Sequence, residues 1–211
     1  MTSTSVSGTI KLCSWNVQGL QKPTKRLAVG WVGQVFATSY SSFIRGVAIL
    51  VSKKLAFQCL NCVKNDHGCY IIVKGTLLGK EVTFMNLYCP PGYSPSFLAS
   101  SFATFAGIAS ADMGGDFNCH IDPVLDKRPS SSSPPSSQAR MLPLLCSDYS
   151  FCDVWRQTDY WFIPASKIPQ SLSCKIGNII LSDHAPLYLS YSLPGPYYAI
   201  LAAFNPKLLF S

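Results

Sequence analysis

Gly115-Asp116-Phe117-Asn118-Cys119 is the stretch whose reading decides the fold. It follows an apolar run, Phe105 to Met113, that reads as a buried strand. The phrase therefore falls at a strand end, where a rigid sheet holds loop side chains in register. A second phrase, Ser182-Asp183-His184-Ala185-Pro186, follows another such run, Ile176 to Leu181. Together the two offer two carboxylates, a carboxamide and an imidazole. A hard cation such as Mg2+ takes one or two carboxylates together with water and substrate oxygens. A carboxylate can draw a proton from water, and an imidazole can meet charge that develops on phosphate. The set suits cleavage of a phosphate ester. Taken alone, Gly-Asp-x-Asn is also an ordinary turn, because Asp and Asn after Gly are common turn residues.

Two further phrases extend the pattern. Lys11-Leu12-Cys13-Ser14-Trp15-Asn16-Val17 is a short strand carrying a carboxamide among apolar residues. Glu81-Val82-Thr83-Phe84-Met85-Asn86-Leu87-Tyr88-Cys89-Pro90-Pro91 is a strand that ends at a Tyr before a proline stop. In this order the four phrases resemble the endonuclease/exonuclease/phosphatase superfamily, with its Trp-Asn strand, Asn-x-Tyr-x-Pro strand end, Gly-Asp-Phe-Asn turn and final Ser-Asp-His. The chain is most similar to the apurinic-type endonuclease domain that opens LINE retrotransposon polyproteins. Arg45-Gly46-Val47, Asp66-His67-Gly68-Cys69-Tyr70 and Asp153-Val154-Trp155-Arg156 carry that closer likeness, which runs from about Ile10 to Leu193.

The resemblance implies an α/β (α+β) fold, a four-layer sandwich of two packed mixed β-sheets flanked by helices, here incomplete. The domain is expected over residues 9–193, with 194–211 as a C-terminal tail that has no clear partner. The resemblance also implies roles. Asp116 is expected to take a proton from the attacking water, and Asn118 to orient that water or the phosphate. His184 is expected to hydrogen-bond a phosphate oxygen, and Tyr88 to contact the phosphate through its hydroxyl. Asn16 and Asp183 are the expected metal ligands, holding one weakly bound Mg2+ or Mn2+ ion. DNA is the expected partner of a monomer. The residues themselves leave blander readings open: Tyr88 before Pro-Pro serves equally as a strand-end anchor, and Trp155 is most simply core. Asn16 is harder to dismiss, since a carboxamide buried in a strand must find hydrogen-bond partners.

Departures from the family pattern bear on activity. The family places a metal-binding Glu in a Gln-Glu-Thr phrase ahead of Trp-Val-Gly. Here Lys25-Arg26 is followed almost at once by Trp31-Val32-Gly33, and Glu81, the only Glu of the chain, lies at a hairpin. The family's Arg-x-Asp strand, which orients the catalytic imidazole, has no counterpart between Tyr160 and His184. The gaps resemble coding segments lost from a transposon copy. A lost strand should leave its neighbours with unpaired backbone groups. The reading is therefore a metal-dependent DNA endonuclease domain of LINE type, weak or inactive as written. Its rivals are a catalytically dead remnant that at most binds nucleic acid, and a superfamily phosphatase acting on another ester.

Composition agrees. At 211 residues and 48% apolar, the chain suits one domain with a real core. Lys and Arg number 17 against 10 acidic residues, a net charge of +7 that favours an anionic partner. Met1 to Gly8 lacks the apolar core of a signal peptide. Nine scattered cysteines then point to reduced thiols in cytosol or nucleus rather than to secretion. Cys59-x2-Cys62-x4-His67 begins like a zinc knuckle, but Cys69 follows too closely to close one. No span has the length of a membrane helix.

Local patterns place strands at Thr9–Val17, Val32–Ala37, Gly46–Val51, Leu55–Val63, Cys69–Thr76 and Val82–Tyr88. Ser94 to Ser110 has helical spacing, with Ser96 as a candidate cap. Arg128 to Gln138, rich in Ser and Pro, reads as a loop. Ala139 to Cys146 reads as a short helix interrupted by Pro143.

Overall fold

Runs of β-branched and aromatic residues with a period of two become strands, and a face-to-face pair of sheets buries them. The computed structural model describes residues 7–15, 33–41, 45–108, 111–119, 121, 135–155, 159–178, 184–194 and 198–204. The first half holds Ser7–Trp15 (β1), Gly33–Ser39 (β2), Gly46–Ser52 (β3), Phe57–Lys64 (β4), Tyr70–Leu77 (β5) and Lys80–Tyr88 (β6). Helix Pro95–Ala106 (α1), strand Ala111–Asp116 (β7) and helix Ser137–Asp148 (α2) follow. Then come Phe151–Trp155 (β8), Asp159–Pro164 (β9), a 3-10 turn, Ser171–Ile176 (β10), Leu187–Pro194 (β11) and Tyr198–Phe204 (β12).

The strands form two mixed sheets of six, ordered β10-β11-β1-β12-β3-β2 and β4-β5-β6-β7-β9-β8. Among the described residues, the parallel pairs are β1 with β12 and β6 with β7. Val47, Ile49, Ile71, Val73, Phe84 and Trp161 fill the space between the sheets. Side chains alternate along each strand, so Ile72, Met85 and Leu87 point the other way, onto Phe102 and Phe105 of α1 and Leu142 of α2. Ala48 and Leu50, on the opposite face of β3 from Ile49, are buried as well. A strand covered on both faces is a central layer. The molecule is an α/β sandwich of two packed mixed sheets with helices, as the sequence implies.

Several local expectations change. The helix after the Pro-Gly turn is capped by Ser94, whose hydroxyl accepts from the Ser96 backbone, with Pro95 in the first turn where its missing N–H costs nothing. Phe105 belongs to this helix, so the strand leading to Asp116 starts only at Ala111. α2 runs through Pro143 without ending and starts at Ser137, inside the stretch read as a loop; Ser136 caps it by accepting from the Ala139 N–H. Ile176 ends β10 and is 41% exposed, and Ser182 and Asp183, with the later half of the run read before them, lie outside the described residues.

The largest change is at the C-terminus. The stretch after Pro194 does not lack a partner: β12 lies between β1 and β3, parallel to the first over Thr9–Trp15 and antiparallel to the second over Ala48–Val51. The facing ladder groups of β1 and β3 are paired by it.

Candidate active site

Asp116 is the last residue of β7 and Tyr88 the last of β6, and the parallel register sets them side by side. Paired residues of parallel strands project to the same face, so phenol and carboxylate share one edge of the sheet. Burial raises the pKa of the Tyr88 phenol above its ordinary value, the nearby Asp116 carboxylate adds to the rise, and the Arg45 guanidinium opposes it. The hydroxyl therefore keeps its proton at neutral pH and can donate it in a hydrogen bond.

The Gly-Asp-Phe-Asn turn is built to hold that edge. A Cβ on Gly115 would stand 1.9 Å from the Leu87 carbonyl oxygen, so only glycine lets β7 approach β6 this closely. Phe117 is fully buried edge-on against Tyr160 and Phe162, which anchors the turn. Asn118 has a positive φ of 47°, a conformation Asn tolerates better than most residues. Its backbone N–H donates to Asp116 Oδ1 at 2.9 Å, and its Nδ2 donates to the Cys89 carbonyl at 3.0 Å. The Cys89 N–H in turn donates to the Asp116 carbonyl at 2.8 Å. Asn118 thus ties the ends of β6 and β7 together and fixes the carboxylate. Beyond it, the Tyr160 hydroxyl donates to the Cys119 carbonyl at 3.0 Å and holds the following loop.

His184 comes from the other sheet. It sits on the hairpin loop between β10 and β11, whose base is closed by Gly177 N–H donating to the Pro186 carbonyl at 2.7 Å. The indole Nε1 of Trp15, at the end of β1, donates to the His184 carbonyl at 2.8 Å. Trp161 Nε1 donates to the Leu187 carbonyl at 3.2 Å while its ring packs where a Gly114 side chain would stand. Trp161, on β9, thus links the start of β11 to Gly114 of β7 across the two sheets, while Trp15 holds the loop to its own sheet. Tyr88, Asp116 and Asn118 are brought together at one strand-end rim, and the His184 loop is tethered to the facing sheet. Asn16 and Asp183 lie outside the described residues.

Among the described residues, no group of three or more His, Cys, Asp or Glu side chains gathers in a way that would hold a metal ion. Glu81 is engaged at the far end of β6, where it pairs with Lys74 at 2.9 Å. Asp112, four residues before Asp116 along β7, is committed to Lys167 at 3.0 Å and to the Tyr191 hydroxyl at 3.1 Å. The described donors do not by themselves make a metal centre. No helix among the described residues is long and apolar enough to cross a membrane.

Two features of this rim had no individual signature in the sequence. Trp15 stands in the quoted Trp-Asn phrase, yet its partner is 169 residues away. Arg45 stands in the Arg-Gly-Val phrase, yet its influence on Tyr88 joins residues 43 positions apart in the chain.

No family model matches the chain. Solved structures do. The endonuclease domain of TRAS1, a telomere-specific non-LTR retrotransposon, superposes with a TM-score of 0.63 at 12% identity, over 88% of this chain and all (100%) of that one. The AP endonuclease LMAP from Leishmania major gives 0.62 at 11% identity, over 89% of each chain. A 3'-5' exonuclease from Neisseria meningitidis gives 0.54 at 15% identity, over 86% of this chain and 99% of that one. With two mixed sheets packed face to face and a Gly-Asp-Phe-Asn turn closing the central parallel pair of one of them, this chain has the fold of the endonuclease/exonuclease/phosphatase superfamily.

Proposed function

We propose that the chain is a DNA phosphodiester hydrolase domain of the LINE endonuclease type, with low turnover as written. The observation that carries this reading is the pairing of Tyr88 with Asp116 at the ends of parallel β6 and β7, with Asn118 clamping the carboxylate. In this reading Asp116 takes the proton of the attacking water as the water oxygen bonds to phosphorus. The phosphorus–oxygen bond to the leaving strand breaks in line, and the departing oxygen takes a proton from solvent water. Tyr88 donates its hydroxyl hydrogen to a non-bridging phosphate oxygen, and His184 meets charge on the same group. Asn118 holds Asp116 in place and presents the remaining face of its amide to the water. A divalent ion, Mg2+ or Mn2+, supplies charge neutralisation when bound, and Asp183 and Asn16 are the residues proposed to hold it.

Low turnover follows from the missing groups. Without the family's Glu, Asp183 and Asn16 with help from Asp116 give an ion few anionic ligands, and the family's Arg-x-Asp segment, whose Asp orients the imidazole, has no counterpart in the sequence. Losing an orienting carboxylate in a catalytic unit costs on the order of 10^4 in rate in a serine-protease triad, and losses within one unit do not multiply.

The test is nicking of supercoiled plasmid in Mg2+. Slow nicking that disappears in Asp116→Ala and in chelator supports the reading. Nicking equal in the wild type and Asp116→Ala sinks it. Fast nicking would show that another residue completes the ion site. A second reading, nucleic-acid binding without cleavage, is favoured by the single Glu of the sequence, Glu81, and by the net charge of +7. DNA binding with no Asp116-dependent nicking would select it.

A further inference from the structure

Beside the rim, three turns converge on one cation. Tyr40 N–H donates to the Arg45 carbonyl at 2.9 Å and closes the turn between β2 and β3. Arg45 Nε donates to the His67 carbonyl, in the turn between β4 and β5, at 2.7 Å. Its guanidinium carbon lies 4.7 Å from the Tyr40 ring centre and 5.5 Å from that of Tyr93, in the turn after β6. The Tyr40 ring also stacks on His67 at 6.0 Å with planes 30° apart. Gly68, at φ +65°, makes the approach possible, since a Cβ there would stand 2.4 Å from the Tyr40 nitrogen.

This cluster is open and uncompensated. Tyr40 is 51% exposed and His67 is exposed. The ion pairs among the described residues are Lys74–Glu81 and Lys167–Asp112, and neither involves Arg45. With Nε tied to a carbonyl and two rings against it, the half-buried guanidinium is held in place, and its two terminal amino groups have no protein acceptor among the described residues. The site is also contiguous with the rim: Cys69, two residues after His67, accepts the Tyr88 N–H through its carbonyl at 2.7 Å.

A fixed guanidinium fork matches a phosphate, and an exposed ring beside it offers a stacking face to a base. An acidic peptide would use the fork and leave the rings idle. We infer that Tyr40, Arg45, His67 and Tyr93 form a platform for an unpaired nucleotide, its phosphate on Arg45 and its base on Tyr40, beside the scissile phosphate. This rests on the hydrolase reading only for the position of the scissile bond. Bases stacked within a duplex cannot reach the ring, so the platform selects nucleic acid with unpaired residues.

The experiment is fluorescence anisotropy of the full chain with a labelled single strand of about 12 nucleotides and with its duplex, in chelator so that nothing is cut. Tyr40→Ala should weaken the single strand about 5- to 100-fold and the duplex little, while Tyr40→Phe retains binding. Arg45→Ala should weaken the single strand and lower the magnitude of its salt slope by about 0.7. Arg45→Lys should keep the slope and lose affinity, and far-UV circular dichroism confirms that each variant folds. Equal losses for single strand and duplex in Tyr40→Ala, or an unchanged slope in Arg45→Ala, overturn the platform and leave the hydrolase reading standing. Displacement of the strand by polyglutamate as readily as by unlabelled DNA also overturns it, in favour of an acidic protein. Conversely, platform-dependent binding with no Asp116-dependent nicking keeps the platform and removes the hydrolase.

Discussion

At the scale of single residues, the rim depends on groups that do no chemistry. Gly115 is the sharpest case, because the space a side chain needs is already filled by the Leu87 carbonyl at 1.9 Å from its Cβ position. Gly115→Ala should force β7 away from β6 and cost about 3 kcal/mol, read as a lower urea midpoint. It should also separate Tyr88 from Asp116, so any nicking activity falls further than stability alone explains. A variant as stable as the wild type would show that the strands can part freely. The glycine was visible in the sequence only as part of a phrase. Its necessity comes from a neighbour 28 positions away in the chain, Leu87.

At the scale of elements, two pairings organise the sandwich. Asp112 on β7 receives two hydrogen bonds from Lys167 at 3.0 Å and one from Tyr191 of β11 at 3.1 Å. Burial raises the Asp112 carboxyl above its ordinary value, and Lys167 and then Tyr191 draw it down. In Lys167→Met the carboxyl rises further, because burial is left with less opposition. A carboxyl raised in the folded state binds its proton more tightly there than in the unfolded chain. Its stabilising contribution is then full below the unfolded value and lost as pH rises through the folded one. Lys167→Met should therefore cost about 3 kcal/mol at pH 7 and distinctly less near pH 4, measured by urea unfolding at the two values. A deficit that grows toward acid pH would contradict this.

The second pairing is β12 between β1 and β3. Ala202 pairs with Cys13 on one side and Leu50 on the other, and a proline in a central strand cannot donate to the ladder. Ala202→Pro should cost roughly 3 kcal/mol or more and strip hydrogen-exchange protection from Leu12, Cys13, Ile49 and Leu50. Protection that survives would mean that β1 and β3 do not rely on this strand.

At the scale of the molecule, the two sheets unfold together if their shared layer is one core. Cross-sheet hydrogen bonds reinforce it: Asn86 Nδ2 donates to the Ala48 carbonyl at 3.0 Å, buried, and Trp161 reaches Leu187. Far-UV circular dichroism and tryptophan fluorescence should then give coincident thermal transitions. Two separated transitions would split the sandwich into independent halves. The same layer frames the proposed site, since the residues assigned to it come from β6, the β7 end and its turn on one sheet and from the loop before β11 on the other.

The sequence by itself determined the period-two strands, the strand-end placement of Tyr88 and Asp116, and the kind of chemistry their side chains allow. These are local matters: alternation, a proline stop and a glycine turn act within a few residues. Only the tertiary structure decided that the segment after Pro194 enters the first sheet, that Trp15 holds the His184 loop, and that Arg45 lies between two tyrosine rings. Each depends on backbone hydrogen bonds or ring contacts between stretches far apart in the chain, and such a contact leaves no periodic trace in either partner. An apolar run such as Tyr198 to Phe204 announces that it will be buried, but the strand beside it is chosen by whichever unpaired ladder the finished sheet offers.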